Sequence, residues 1–166
     1  MTSPASVLRD AFDRHTWATL LMLDYLATLD PTSYEAGIGG TYGPIPETLV
    51  HLVAADTRYL DRVEDPDPPR PADEPFDIGA LRTQVQDNAA RWADVLDRLE
   101  AGTLGARIGP RDDDPGYDPA ETLLVLQALH HADDHRAQVC STLGALGLEV
   151  PDLDVWSFWD DQRRSR

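Results

Sequence analysis

Three histidines carry the chemistry that this sequence offers. His131 and His135 stand four residues apart in the run LHHADDHRAQ, Leu129 to Gln138. On an α-helix that spacing stacks two side chains on one face, where both can reach a single metal ion. The neighbouring residues predict such a helix over Ala120 to Leu146: Leu124, Ala128, His131, His135, Val139, Thr142 and Leu146 recur at steps of three and four. Both imidazoles therefore fall on the stripe that turns toward a core. His51 lies on the inner stripe of an earlier predicted helix, with Thr48, Leu52, Ala55 and Tyr59. Three neutral imidazoles hold a divalent ion at about 2.0 to 2.1 Å and leave at least one position for a water, a substrate oxygen or a thiol. Nitrogen donors suit zinc, nickel, copper or ferrous iron, so the set does not choose the metal.

Rival patterns fail on these residues or give them bland roles. Ala132 stands where the glutamate of an HExxH zinc-protease pair belongs. No Glu-x-x-His is present, which removes the di-iron carboxylate signature, and there is no GxSxG. Cys140 follows His135 off its helical face and reads as a small core residue. His130 points about 100° away from His131 around the helix. His15, on the stripe of the first helix, reads as a core histidine bonded to a neighbour. The metal-free alternative leaves His131 and His135 as satisfied core or surface residues. If a water were the nucleophile, Asp56, one turn beyond Leu52, and Asp134, beside the last histidine, are the candidate general bases.

These groups need a scaffold, and the periodicity supplies an all-α one. Leu8, Ala11, Phe12, His15, Thr19, Met22, Leu26 and Leu29 predict a first helix from Ser3 or Pro4 to Leu29, stopped by Asp30-Pro31. A Gly-, Thr- and Tyr-rich loop to Gly43 precedes a second helix, from Pro44 or Pro46 to about Val63. The run DPDPPRPADEP, Asp65 to Pro75, cannot be helical and reads as a surface linker without EF-hand spacing. A third helix, Ile78 to Glu100 with Asp77 as cap, carries no histidine or inward acid and reads as a packing element. After an irregular stretch from Gly102 to Tyr117, Asp118-Pro119-Ala120-Glu121 starts the histidine helix, and Gly147 ends it. Val155, Trp156, Phe158 and Trp159 in the tail are expected to fold back on the bundle or on a second subunit. The expected architecture is a four-helix bundle with long connections and a short aromatic C-terminal segment, one domain over residues 1–166.

Composition narrows the partners. Hydrophobic residues at 42% and charged residues at 27% describe a globular chain. A formal net charge of -16 repels polyphosphate and anionic membranes, which argues against nucleic acid and membrane as partners and leaves a small-molecule substrate. All the basic residues are arginine, so this chain supplies neither a Schiff-base lysine nor a phosphate-loop lysine. The heavy excess of Asp over Glu and the absence of lysine fit either salt adaptation or genomic base composition. A single cysteine excludes an intrachain disulfide. With no apolar run near about 20 residues and no basic-then-apolar leader, a cytoplasmic protein is expected.

The histidine pattern resembles the DinB/YfiT-like superfamily, through His51 in PETLVHLVAAD and HADDHRAQV in the last long helix, the pattern being H-x3-H-R-x-Q. The resemblance covers nearly the whole chain. It implies a four-helix bundle, frequently a homodimer, with a divalent metal such as zinc, nickel or iron held by His51, His131 and His135. Arg136 and Gln138 match the positions after the last ligand, and Arg136 joins Asp56 and Asp134 as candidate catalytic residues. Asp133 and Asp134 depart from the neutral residues often found there, and Ala137 from a common glycine. Family members with assigned chemistry use low-molecular-weight thiols such as mycothiol, which implies a thiol-dependent transferase or isomerase acting on a small electrophile. A metal-activated-water hydrolase and a non-catalytic stress-related binding bundle are the alternatives.

Overall fold

The computed structural model describes residues 4–65, 75–104 and 121–165. The Asp118-Pro119 start signal and most of the two irregular connections lie outside the described residues. Five α-helices and no strand occur among those described: α1 Pro4–Leu26, α2 Ile45–Glu64, α3 Ile78–Glu100, α4 Glu121–Ala145 and α5 Val155–Arg164. The expected all-α bundle is observed.

Local signals set most of the helix ends. Asp77 Oδ1 accepts from Ala80 N at 2.7 Å and caps α3. Gly147, at φ 74°, ends α4 in the left-handed region, with Leu148 N bonded back to Leu143 O at 3.0 Å. The first helix stops at Leu26, a turn before the expected Leu29. The residue before a proline is pushed out of the helical region, so Asp30 is extended, and Thr28 and Leu29 tighten into short turns on Tyr25 and Leu26.

The long helices form a ring of contacts in which α1 and α2 each pack against both α3 and α4. Sequence neighbours α1 and α2 thus sit diagonally, as do α3 and α4. Diagonal partners need a connection that crosses the bundle end, which accounts for the length of the stretch between α1 and α2. The tail folds back as α5, a helix where the sequence predicts a short aromatic segment, capped by Asp154 Oδ1 accepting from Ser157 N at 2.7 Å. Phe158 packs on Trp17 with ring centroids 5.5 Å apart, and Trp17 Nε1 donates to Asp161 Oδ2 at 3.1 Å.

Two apolar clusters fill the interior. One joins Met22, Leu23, Leu26, Leu49, Leu52, Val53, Val85, Val139 and Leu143; the other joins Phe12, Leu60, Trp92, Val95, Val125 and Ala128. Each fully buried aliphatic side chain contributes roughly 1.5–3 kcal/mol. Between the clusters the helices place His15 and Thr19, Asp56, Asn88, and His135 and Arg136, all buried. A polar layer thus crosses the bundle where the site residues lie.

Candidate metal centre

His51 comes from α2, and His131 and His135 come from successive turns of α4. Because α2 packs directly on α4, the inner stripes of the two helices bring the rings together. His131 Nε2 lies 3.1 Å from His51 Nε2 and 3.1 Å from His135 Nε2. A candidate ligand atom from each of the three rings lies within 4.8 Å of the others, so the group could hold a metal ion.

The donor chemistry fits a cation. An imidazole nitrogen offers either one N–H or one lone pair, so His131 Nε2 can satisfy at most one of its two close contacts. The other contact is left without a well-directed hydrogen bond, a gap that a cation between the rings would fill. Two ligands at about 2.0 to 2.1 Å with angles near 90–110° stand about 2.9–3.4 Å apart, and the observed 3.1 Å falls inside that range. Electrostatics keep the lone pairs free. Burial holds His131 down at about 4, helped by the rings of His135 and His51 and by Arg58, while Asp134 pulls upward. Burial also lowers His51, with His135 and Arg58 adding to it, and lowers His135 against the pull of Asp134. All three are neutral at pH 7, the form a metal requires.

Aromatic rings wall the group. Tyr42 stacks on His51 with centroids 4.1 Å apart and planes at 18°, and meets His135 edge-on at 5.3 Å. Tyr59 meets His131 edge-on at 5.7 Å. Gln138 bridges loop and helix: its Oε1 accepts from Tyr42 N at 2.7 Å, and its Nε2 donates to Asp134 Oδ2 at 2.9 Å. Tyr42 was not singled out from the sequence, where its only signal is an aromatic in a Gly-rich loop just ahead of a histidine helix.

The remaining sequence candidates divide between two places. Asp134, exposed on α4 beside His135, acts on His131 and His135 through its charge. Asp56 is gathered elsewhere: Oδ1 accepts from Trp92 Nε1 at 2.9 Å and Oδ2 from Asn88 Nδ2 at 3.0 Å. His15 Nε2 stands 3.6 Å from Asp56, beyond hydrogen-bond range. Arg136 turns toward α1, donating to Thr19 Oγ1 at 2.8 Å and His15 O at 3.3 Å, and to Asp133 Oδ1 at 2.7 Å. Asp133 is also paired with Arg14, which in turn donates to Leu153 O at 2.6 Å. The third helix is therefore more than packing, since it supplies both donors to Asp56. Asn88 gave no periodic signal because one buried amide on a polar-rich helix looks like an exposed one.

A family model described as the DinB superfamily matches residues 12–139, a span that includes His51, His131 and His135. None of the curated proteins matches the chain.

Proposed function

From the membership of this chain in the DinB superfamily, we propose that it is a divalent-metal-dependent enzyme, a thiol-dependent transferase or isomerase acting on a small electrophile. The observation that carries the metal reading is the pair of 3.1 Å contacts that meet at His131 Nε2. Zinc, nickel and ferrous iron all suit the three nitrogens. A divalent ion there supplies Lewis acidity, which favours the thiolate of a small thiol such as mycothiol at neutral pH.

The chain's own residues do the rest. His51, His131 and His135 keep their lone pairs because burial disfavours protonation. Asp134, oriented by Gln138 Nε2 at 2.9 Å, accepts the thiol proton. The freed sulfur then bonds to the electrophilic carbon as that carbon's bond to its leaving atom breaks and takes the electron pair, and the proton held by Asp134 passes to that atom. Tyr42 and Tyr59 limit water beside the rings. We assign Asp56 and Arg136 to holding α2 and α4 against α3 and α1, on the strength of their buried partners.

Metal analysis of untagged protein after supplementation tests the first step. A near-stoichiometric divalent ion is expected, with nearly none in His51→Ala or His135→Ala, and no metal in the wild type overturns the reading. Turnover of an electrophile only with added thiol supports the transferase or isomerase, whereas thiol-free hydrolysis of esters or amides points to the hydrolase with Asp134 as base. A homodimer belongs to the same proposal, supported by the exposed Val155, Trp156 and Trp159 of α5, and light scattering tests it.

A further inference from the structure

The loop that carries Tyr42 closes on itself before it reaches the histidines. A Cβ on Gly37 would stand 3.0 Å from Pro44 N and 3.2 Å from the Gly43 carbonyl carbon, so only glycine allows the two arms of the loop to meet there. Thr41 Oγ1 ties the tip by donating to Ile38 O at 2.9 Å. The tip residue Tyr42 then lies flat on His51, at 4.1 Å between centroids, while its own N–H is held by Gln138 Oε1 at 2.7 Å. Burial does not explain this placement, because Tyr42 is 54% exposed. An exposed tyrosine gains little from covering apolar surface, yet this one has its ring and its backbone fixed separately, both onto residues of the histidine helices.

We infer that Tyr42 is a positioning residue of the three-histidine site, latched by Gln138, which fixes the ring of His51 and closes one side of the site. The inference rests on the metal reading given above. A histidine whose ring can rotate must be ordered when it binds an ion, and a neighbour that orders it beforehand removes that cost. The latch also links the two helices that supply the ligands, since Gln138 belongs to α4 and Tyr42 precedes α2.

Zinc-loaded protein mixed with an excess of a chromogenic chelator provides the test, the readout being the rate of zinc release. Tyr42→Ala and Gln138→Leu are expected to release zinc about 10-fold faster or more, the range for loss of a group that orients a ligand. Tyr42→Phe, which keeps the stacked ring, is expected to release it at the wild-type rate. The thermal midpoint of each metal-free variant should match the wild type, because the ring is half exposed. Tyr42→Ala at the wild-type rate overturns the inference while leaving the metal reading intact. Tyr42→Phe as fast as Tyr42→Ala also overturns it, since stacking is then not the means, and Gln138→Leu at the wild-type rate overturns the latch. A wild-type chain that takes up no zinc removes the metal reading itself.

Discussion

Neutral imidazoles gathered in one place make the metal-free fold sensitive to acid. The folded His131 titrates at about 4 against 6.5 in an unfolded chain, and His51 and His135 are lowered as well. Between those values the unfolded chain takes up protons that the folded one refuses, so the stability due to these groups is complete above about pH 6.5 and falls as pH drops toward 4. The thermal midpoint of chelator-treated protein should fall between about pH 7.5 and about pH 5, and His131→Gln should flatten that slope. For Asp133, burial alone would raise the carboxyl, but Arg136 and Arg14 outweigh it and hold it low. Its contribution is present above the usual carboxylate range and is lost as pH falls through its lowered value. Asn88, 1% exposed, donates to the buried Asp56 carboxylate. Asn88→Ala removes a donor to a charge in the core and should lower unfolding free energy by about 1–3 kcal/mol, measured by urea titration. Metal content of that variant should stay at the wild-type level, since Asp56 belongs to the other cluster.

The C-terminal helix shows how an element too short to persist alone gains a fixed place. A helix of 10 residues is marginal by itself in water. The Asp154 cap fixes its first turn, and the ring of Phe158 against Trp17 and Arg14 holding Leu153 O anchor it to α1. Phe158→Ala should cost about 3 kcal/mol and detach the segment, which limited proteolysis at the arginines of α5 would report. One face remains uncovered, with Trp156 78% exposed. Elsewhere the elements were legible in outline. The third helix begins and ends where its cap and periodicity put it. The first ends a turn early because the stripe at Leu29 outlasts the backbone constraint set by Asp30-Pro31, and an apolar stripe reports which face is buried rather than where hydrogen bonding ends.

At the scale of the whole molecule, the buried polar layer and the surface charge oppose the apolar core. Most of the layer is satisfied from within, Arg136 on Thr19 and Asp133, Asp56 on Trp92 and Asn88, Thr57 on Asn88, while His135 Nδ1 and Arg136 Nε are buried without a hydrogen-bond partner among the described residues. Arg136 is 2% exposed, so Arg136→Met would leave Asp133 to Arg14 and Thr19 to His15 O but also relieve a buried charge, and the pairwise terms are separable only by double-mutant cycles. The surface effect has a clearer sign. A net charge of -16 repels itself across the bundle, whereas exposed pairs such as Arg9 with Asp97 and Glu100 contribute little. Screening therefore relieves more than it removes, and the thermal midpoint should rise between about 0.01 M and about 1 M sodium chloride, where the Debye length shrinks from about 30 Å to about 3 Å. No described helix is long and apolar enough to cross a membrane.

By itself the sequence determined the four long helices, their inner faces and the candidacy of His51, His131 and His135, because hydrophobic periodicity and the i, i+4 spacing are local properties of the chain. Tertiary structure alone decided that α2 lies against α4 rather than α1, and with it that His51 meets the other two rings. It also decided that Asp56 and Arg136 turn to a separate cluster while Tyr42 comes over the site from a loop. Helix pairing and loop paths depend on contacts between residues far apart in the chain, and a one-dimensional pattern records which face is buried but not what buries it.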